Sequence, residues 1–226
     1  MTKKVWHAVV LGAFVVFGTS IAPAQSVRAG GLDVGRFLVS ARDLPDPSFA
    51  ESVILLIQYD KRGTVGLMIN HRTKAPISRI LENLNMAKHG SEPIYVGGPV
   101  EMNAVLGLFR SQKKPDSAAT SVLGDVYVAS SKALLEKTLA ASSGPNDMRL
   151  YMGYCGWAVG QLENEVRQGG WWIFAGDARL VFDPYPGSVW TRLITRTERQ
   201  TASTQSQSPV HGFHVWLSIQ LLTFPW

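Results

Sequence analysis

The run Val53-Ile54-Leu55-Leu56-Ile57-Gln58-Tyr59, the turn Asp60-Lys61-Arg62-Gly63 and the return Thr64-Val65-Gly66-Leu67-Met68-Ile69 decide the fold class. The first run is continuously apolar and partly β-branched, the pattern of a central strand buried on both faces. The tetrapeptide has turn composition and the second run reads as a strand, so the pair is a hairpin. Working outward, strands are expected at Arg36–Ser40, Pro93–Val96, Ala104–Phe109, Asp125–Ala129, Arg149–Tyr154, Trp171–Phe174 and Leu180–Phe182. Residues 111–121 are polar and read as a loop. A helix opens at Pro76, with Ile77, Ile80, Leu81 and Leu84 on one face. A second covers Lys132–Ala141, with Leu134, Leu135 and Leu139 inward. A third runs from Val159 to Gln168, burying Leu162 and Val166 and pairing Glu163 with Arg167. A short last helix spans Pro186–Thr195. Irregular interleaving around a hairpin predicts an α+β fold: one compact domain, with a mixed or antiparallel, barrel-like sheet and flanking helices.

The chain has 226 residues, 46% of them apolar and 17% charged. That composition excludes a disordered acidic chain, a collagen and a disulfide-dense scaffold. The formal charge of +5 falls once the first residues are set aside. Without Lys3 and Lys4, 20 basic residues face 17 acidic ones, and there is no basic block of the kind that binds nucleic acid. The one cysteine, Cys155, excludes an intramolecular disulfide and a cysteine-rich metal site. Its neighbours Leu150-Tyr151-Met152-Gly153-Tyr154 read as a core strand, so Cys155 is expected to be buried, with a reactive or interchain-paired thiol as the alternatives.

Residues 1–29 are expected to be a signal peptide. Lys3 and Lys4 form the basic start, and Ala8 to Phe17 form an apolar run of ten. Ala22-Pro23-Ala24 and Val27-Arg28-Ala29 offer small-x-small cleavage sites after Ala24 or Ala29. The apolar run is shorter than the about 20 residues a membrane-spanning helix needs. The domain is expected over 30–199. Residues 200–226 form a tail, low in complexity from Gln200 to Ser208 and apolar from Phe213 to Trp226. No stable transmembrane helix is expected once the signal is removed.

Four blocks carry a resemblance. They are Gly35-Arg36-Phe37-Leu38-Val39-Ser40-Ala41-Arg42-Asp43-Leu44-Pro45-Asp46-Pro47-Ser48-Phe49, Gly66-Leu67-Met68-Ile69-Asn70, Tyr95-Val96-Gly97-Gly98-Pro99-Val100, and Gly153-Tyr154-Cys155-Gly156-Trp157-Ala158-Val159-Gly160-Gln161-Leu162-Glu163-Asn164-Glu165. In order and spacing they resemble the YqgE/AlgH family of bacterial proteins over roughly residues 35–195. The resemblance implies a compact α+β domain. Some members are labelled transcriptional regulators, and no established catalytic residue comes with the family. Its members usually lack a signal peptide, are cytosolic, and read Gly-Tyr-Ala-Gly-Trp where this chain has Cys155.

The residues offer little assembled chemistry. Glu163 and Glu165 lie about 200° apart on a helix and cannot act as a carboxylate pair, whereas Gln161 shares a face with Glu165. Gly97-Gly98-Pro99 lacks the further glycines and helix start of a phosphate cradle, so close backbone packing is the simpler reading. Asp46-Pro47 and Asn70 stand at strand ends or on loops, where sites form but also where turn chemistry uses Asp and Asn. Ser111-Gln112-Lys113-Lys114 matches S-x-x-K without its companion motifs. His211 and His214 lack a third metal ligand nearby. Tyr154, Trp157, Trp171 and Trp172 read as core aromatics, with a stacking platform as the alternative.

The expected function is a non-enzymatic binding or regulatory protein. Its candidate surface comprises Asp46, Pro47, Asn70, Gly97, Gly98, Tyr154, Trp157, Gln161 and Glu163. No catalytic residue, metal or cofactor is expected. The partner is a protein or a small molecule, and direct nucleic-acid binding is not expected. The alternatives are an enzyme with a pocket near Cys155 or Asp46, and a cytoplasmic transcriptional regulator. Signal cleavage would place the protein in the periplasm or outside the cell.

Overall fold

A computed structural model describes residues 31–80, 90–113, 115 and 118–206. The strands are β1 (Phe37–Ser40), β2 (Val53–Asp60), β3 (Gly63–Met68), β4 (Arg72–Pro76), β5 (Pro93–Val96), β6 (Val100–Arg110), β7 (Ala119–Leu123), β8 (Val126–Ala129), β9 (Met148–Trp157) and β10 (Trp171–Phe174). The helices are α1 (Ile77–Ile80), α2 (Lys132–Ala141), α3 (Gln161–Arg167), α4 (Ala178–Val181) and α5 (Val189–Ser206). The chain is α+β, as expected.

The hairpin at the start of the argument is present. β2 pairs antiparallel with β3, setting Leu55 opposite Leu67 and Ile54 opposite Met68. Strand order along the sheet is β10-β1-β2-β3-β9-β6-β8-β7, with β5 joining β4 to β9. Every pairing is antiparallel except β5 with β9, so the sheet is mixed. The barrel-like expectation is corrected in one respect: no pairing links β10 to β7, and the sheet stays open. It does curl. A Cβ on Gly176, beyond β10, would lie 2.0 Å from the Gly35 carbonyl and 2.8 Å from Leu123 of β7. The two ends touch through side chains and glycines rather than ladder hydrogen bonds.

Because strand side chains alternate, β2 serves two cores. Val53, Leu55 and Ile57 point into one, with Phe37, Tyr151, Phe182 and Trp190. Ile54 and Leu56 point into the other, with Leu38, Cys155, Trp157, Leu162 and Trp171. A third cluster lies under α2, where Leu134, Leu135 and Leu139 meet Phe109 and Leu150. β9 is the hub: β6 lines one edge, while β5 and β3 share the other. Gly97 stitches that shared edge, donating to Met152 O at 2.7 Å and accepting from Met68 N at 2.8 Å.

Several local expectations change. Residues 119–121 of the expected loop belong to β7. Leu180-Val181 lies in the helical turn α4, not a strand, because Asp177 caps it by accepting from Arg179 N at 2.9 Å. A run of three apolar residues does not distinguish the two states. α3 starts at Gln161 rather than Val159, since Gly160 ahead of it takes φ +80°. Val166 is half-buried, so Leu162 is the buried anchor of α3. α5 continues to Ser206, so the first part of the Gln200–Ser208 run is helical. Of the helix expected from Pro76, Leu81 and Leu84 lie outside the described residues, as do residues 1–29 and His211 and His214. Among the described residues, no helix is long and apolar enough to cross a membrane.

Candidate functional site

The first and fourth blocks meet at one carboxylate. α3 packs against β10 and carries Glu165 on the flank facing the second core. Trp157, at the end of β9, donates its indole N–H to Glu165 Oε2 at 3.0 Å. Trp171, opening β10, donates to the same oxygen at 2.8 Å. Gln161, one helical turn back, donates to Oε1 at 3.0 Å and accepts from Ala158 N at 3.1 Å. Two buried indoles thus have their polar edges satisfied by one side chain, as buried tryptophans require. Their rings stand edge to face at 6.1 Å, and Phe49 packs on both, at 6.1 Å from Trp157 and 5.6 Å from Trp171.

Phe49 arrives from the loop Asp43–Phe49. Asp46 Oδ1 accepts from Ser48 N at 2.8 Å and caps a 3-10 turn over Pro47–Phe49, with Pro47 in its first turn. This is the turn chemistry open to an Asp-Pro step. Between this loop and the α3–β10 junction lies a pocket of about 440 Å³. Phe49 and Trp171 line its aromatic side, and Asp43, Asp46 and Glu165 supply three carboxylates; among the described residues no Lys, Arg or His lines it. The pocket therefore offers negative charge and hydrogen-bond acceptance beside an aromatic wall, a chemistry suited to cationic groups.

The other candidates are placed differently. Asn70 is buried, accepting from Val53 N and donating to Glu51 O, both at 2.8 Å. Gly97 and Gly98 press against β9: a Cβ on Gly97 would lie 2.3 Å from Gly153 O, and one on Gly98 2.1 Å from Tyr154 C. Both glycines serve backbone approach. Tyr154 and Trp157 have opposite parity on β9, so Tyr154 packs toward the first core and Trp157 lies in the second. Glu163, on the other flank of α3 from Glu165, accepts from Tyr59 Oη at 2.8 Å. That hydrogen bond pushes the Tyr59 phenol up, with burial adding to it. Arg167 donates to Asn164 at 3.1 Å, so the expected Glu163–Arg167 pairing gives way to these contacts. The nine candidates do not form one surface. Asp46 lines the Glu165 pocket, and Trp157 and Gln161 hydrogen-bond Glu165 itself, whereas Glu163 turns to Tyr59 and Tyr154 lines a different groove.

Cys155 is fully buried, with Sγ donating to Gly97 O at 3.4 Å, and burial pushes its thiol up to about 12. It has neither the exposure nor the ionisation of a nucleophile. Ser52 and His71, which stand in no sequence motif, bring Oγ and Nε2 to 3.1 Å. Ser52 is fully buried and its hydroxyl also touches Met68 Sδ at 3.2 Å, so it is built into the corner before β2, out of a substrate's reach. Glu165, Phe49, Trp171 and Asp43 were likewise outside the candidate set. The signal for Glu165 was its shared helical face with Gln161. Among the described residues, no group of three or more His, Cys, Asp and Glu side chains is placed to hold a metal.

The AlgH-like family model matches residues 37–202. The chain belongs to the AlgH-like family. A UPF0301 protein of Streptomyces avermitilis is 31% identical over 178 residues, covering 74% of this chain and 88% of that one. A UPF0301 protein of Paraburkholderia phytofirmans is 35% identical over 155 residues, covering 66% and 79%. The solution structure of the AlgH protein from Pseudomonas aeruginosa matches with a TM-score of 0.59 at 29% identity, over 78% of this chain and 94% of that one. A crystal structure of a protein from Corynebacterium diphtheriae matches with a TM-score of 0.61 at 25% identity, over 74% and 88%. The AlgH-like match begins at β1 and ends within α5, so it spans the whole curled sheet and the Glu165 pocket.

Proposed function

We propose that this AlgH-like chain is a non-enzymatic binding protein whose ligand site is the Glu165 pocket, and that the ligand presents a cationic group. The observation that carries this reading is the lining: Asp43, Asp46 and Glu165 beside Phe49 and Trp171, with no basic side chain among the described lining residues. The volume, about 440 Å³, suits a side-chain-sized or small-molecule group. Glu165 is pre-positioned by three donors, so little ordering is left for the moment of binding.

The test is a titration of the 15N-labelled protein with N-acetyl-lysine amide, using N-acetyl-glutamate amide as control. The indole N–H signals of Trp157 and Trp171 report on Glu165 directly. Saturable shifts are expected with the lysine derivative only, and the Asp43→Asn/Asp46→Asn double variant loses them. Equal shifts with both probes, or none with either, defeat the reading.

Export belongs to the same proposal. It is supported by the order of Lys3-Lys4, the apolar run Ala8–Phe17 and Ala22-Pro23-Ala24. Mass spectrometry of the N-terminus from fractionated cells checks it. A start after Ala24 or Ala29 outside the cytoplasm agrees; an uncut chain in the cytoplasm does not.

A further inference from the structure

A second concavity opens on the other side of β9, between the end of the β2–β3 hairpin, the start of β6, and β7 with β8. It is a groove of about 580 Å³, within the roughly 300–1,000 Å³ of small-molecule sites. Its floor is apolar, made of Ile57, Val65, Leu106 and Val128. Its rim carries Glu101 and Tyr154. The Asp60 and Arg62 side chains also reach it, but they neutralise each other at 2.7 Å.

The backbone that presents Glu101 is unusual. β6 pairs Val100 with Tyr154 and then Val105 with Met152, so extra residues of β6 bulge out between those two pairs. Within the bulge Glu101 takes φ +45°. A left-handed, non-glycine backbone is strained and persists where the surrounding structure holds it. Bulges re-aim side chains and cluster beside sites. Here the bulge places a carboxylate on the rim of an apolar groove. Tyr154 stands beside it on the rim, and burial, with the Glu101 carboxylate adding to it, pushes the Tyr154 phenol up. A carboxylate there has acceptor capacity for a ligand's donor.

We infer that this groove is a binding site for a compact, uncharged, mostly apolar molecule that carries an N–H donor, with Glu101 accepting from the donor and Ile57, Val65, Leu106 and Val128 enclosing the apolar body. Glu101 disfavours an anion of the same shape: among the described lining residues the one basic side chain, Arg62, is paired with Asp60. The site is separate from the Glu165 pocket, and it stands or falls independently of that reading.

Two dyes test the inference, since they share a framework and differ by one sulfonate. N-phenyl-1-naphthylamine is uncharged with one N–H; 8-anilinonaphthalene-1-sulfonate is its anionic counterpart. The intact protein is expected to bind the uncharged dye saturably at one site, and at least about tenfold tighter than the sulfonate, a difference of about 1.4 kcal/mol. Ala104→Trp, on the β6 wall, fills the groove and lowers the affinity by about tenfold or more. Thr120→Trp, on the exposed β7 wall, does the same should Ala104→Trp not fold. Glu101→Gln narrows the difference between the dyes. The inference is overturned by any of four results: no saturable binding of the uncharged dye; the sulfonate binding as tightly; unchanged affinity in the folded tryptophan variant; or an unchanged dye ratio in Glu101→Gln.

Discussion

Asn70 holds Glu51 in a left-handed backbone. Its Nδ2 donates to Glu51 O at 2.8 Å and its Oδ1 accepts from Val53 N at 2.8 Å, while Glu51 sits at φ +52°. One buried amide therefore closes the corner that launches the central strand β2. Asn70→Ala takes the partner from the buried Val53 N–H, at roughly 1–3 kcal/mol, and from the part-buried Glu51 C=O, at less. The expected outcome is a loss of about 2–4 kcal/mol in denaturant unfolding. Asn70→Asp is also destabilising, because it sets a buried carboxylate against the Glu51 carbonyl. If Asn70→Ala keeps full stability but loses ligand binding, Asn70 belongs to a site rather than to this corner.

Glu165 gives a second test, because two indoles and one amide share it. Glu165→Ala strands both indole donors and is expected to cost about 2 kcal/mol. Glu165→Gln keeps one oxygen for the indoles and loses less than 1 kcal/mol, roughly one neutral hydrogen bond. The near-ultraviolet circular dichroism of Trp157 and Trp171 should change in the alanine variant and persist in the glutamine variant. Equal stability of the two variants would show that the carboxylate does not brace the tryptophans.

Cys155 is expected to be inert in the folded protein. Burial pushes its thiol up to about 12, so almost no thiolate exists at pH 8. A disulfide exchange reagent should find no thiol in native protein and one thiol per chain in guanidinium. Rapid native labelling would contradict the buried placement beside Gly97 and reopen the cysteine route to catalysis.

His71 sets an acid limit. Burial lowers its pKa below the ordinary histidine value, with the Glu51 carbonyl and charge acting weakly the other way. The folded state thus favours neutral imidazole, and the unfolded chain takes up the proton first as pH falls. The stability due to neutral His71 is fully present above about pH 6.5, the unfolded value, and is lost as pH falls toward the lower folded value. Unfolding free energies at pH 7.5 and pH 5 should differ more in the parent protein than in His71→Gln. An equal pH slope in the two proteins would remove His71 as the cause.

The sequence by itself determined the class of fold and its centre. β2 was legible because it is apolar at every core position, and a strand buried on both faces reads that way wherever it sits. The β3 return, and α2 with its three inward leucines, were legible for similar reasons: their periodicity is local and long enough to be unambiguous. Weak local signals failed. Leu180-Val181 could be strand or helix until Asp177 capped it, and β7 is five residues long, with the adjacent Thr120 and Ser121 both exposed, so it carries no clear alternation.

The site divided along the same line. Helical geometry alone separated Glu163 from Glu165, since i and i+2 cannot share a face. It could not say what each would meet. Tyr59 captured Glu163 and the two indoles captured Glu165, because the sheet brings β2, β9 and β10 around α3. Asp46 and Glu165 are far apart in the chain and share a pocket only through the packing of Phe49 against Trp157 and Trp171. Local spacing encodes which face of an element a residue occupies; only the tertiary structure decides which distant residues complete the contact, because that depends on how the sheet curls and which strands share an edge.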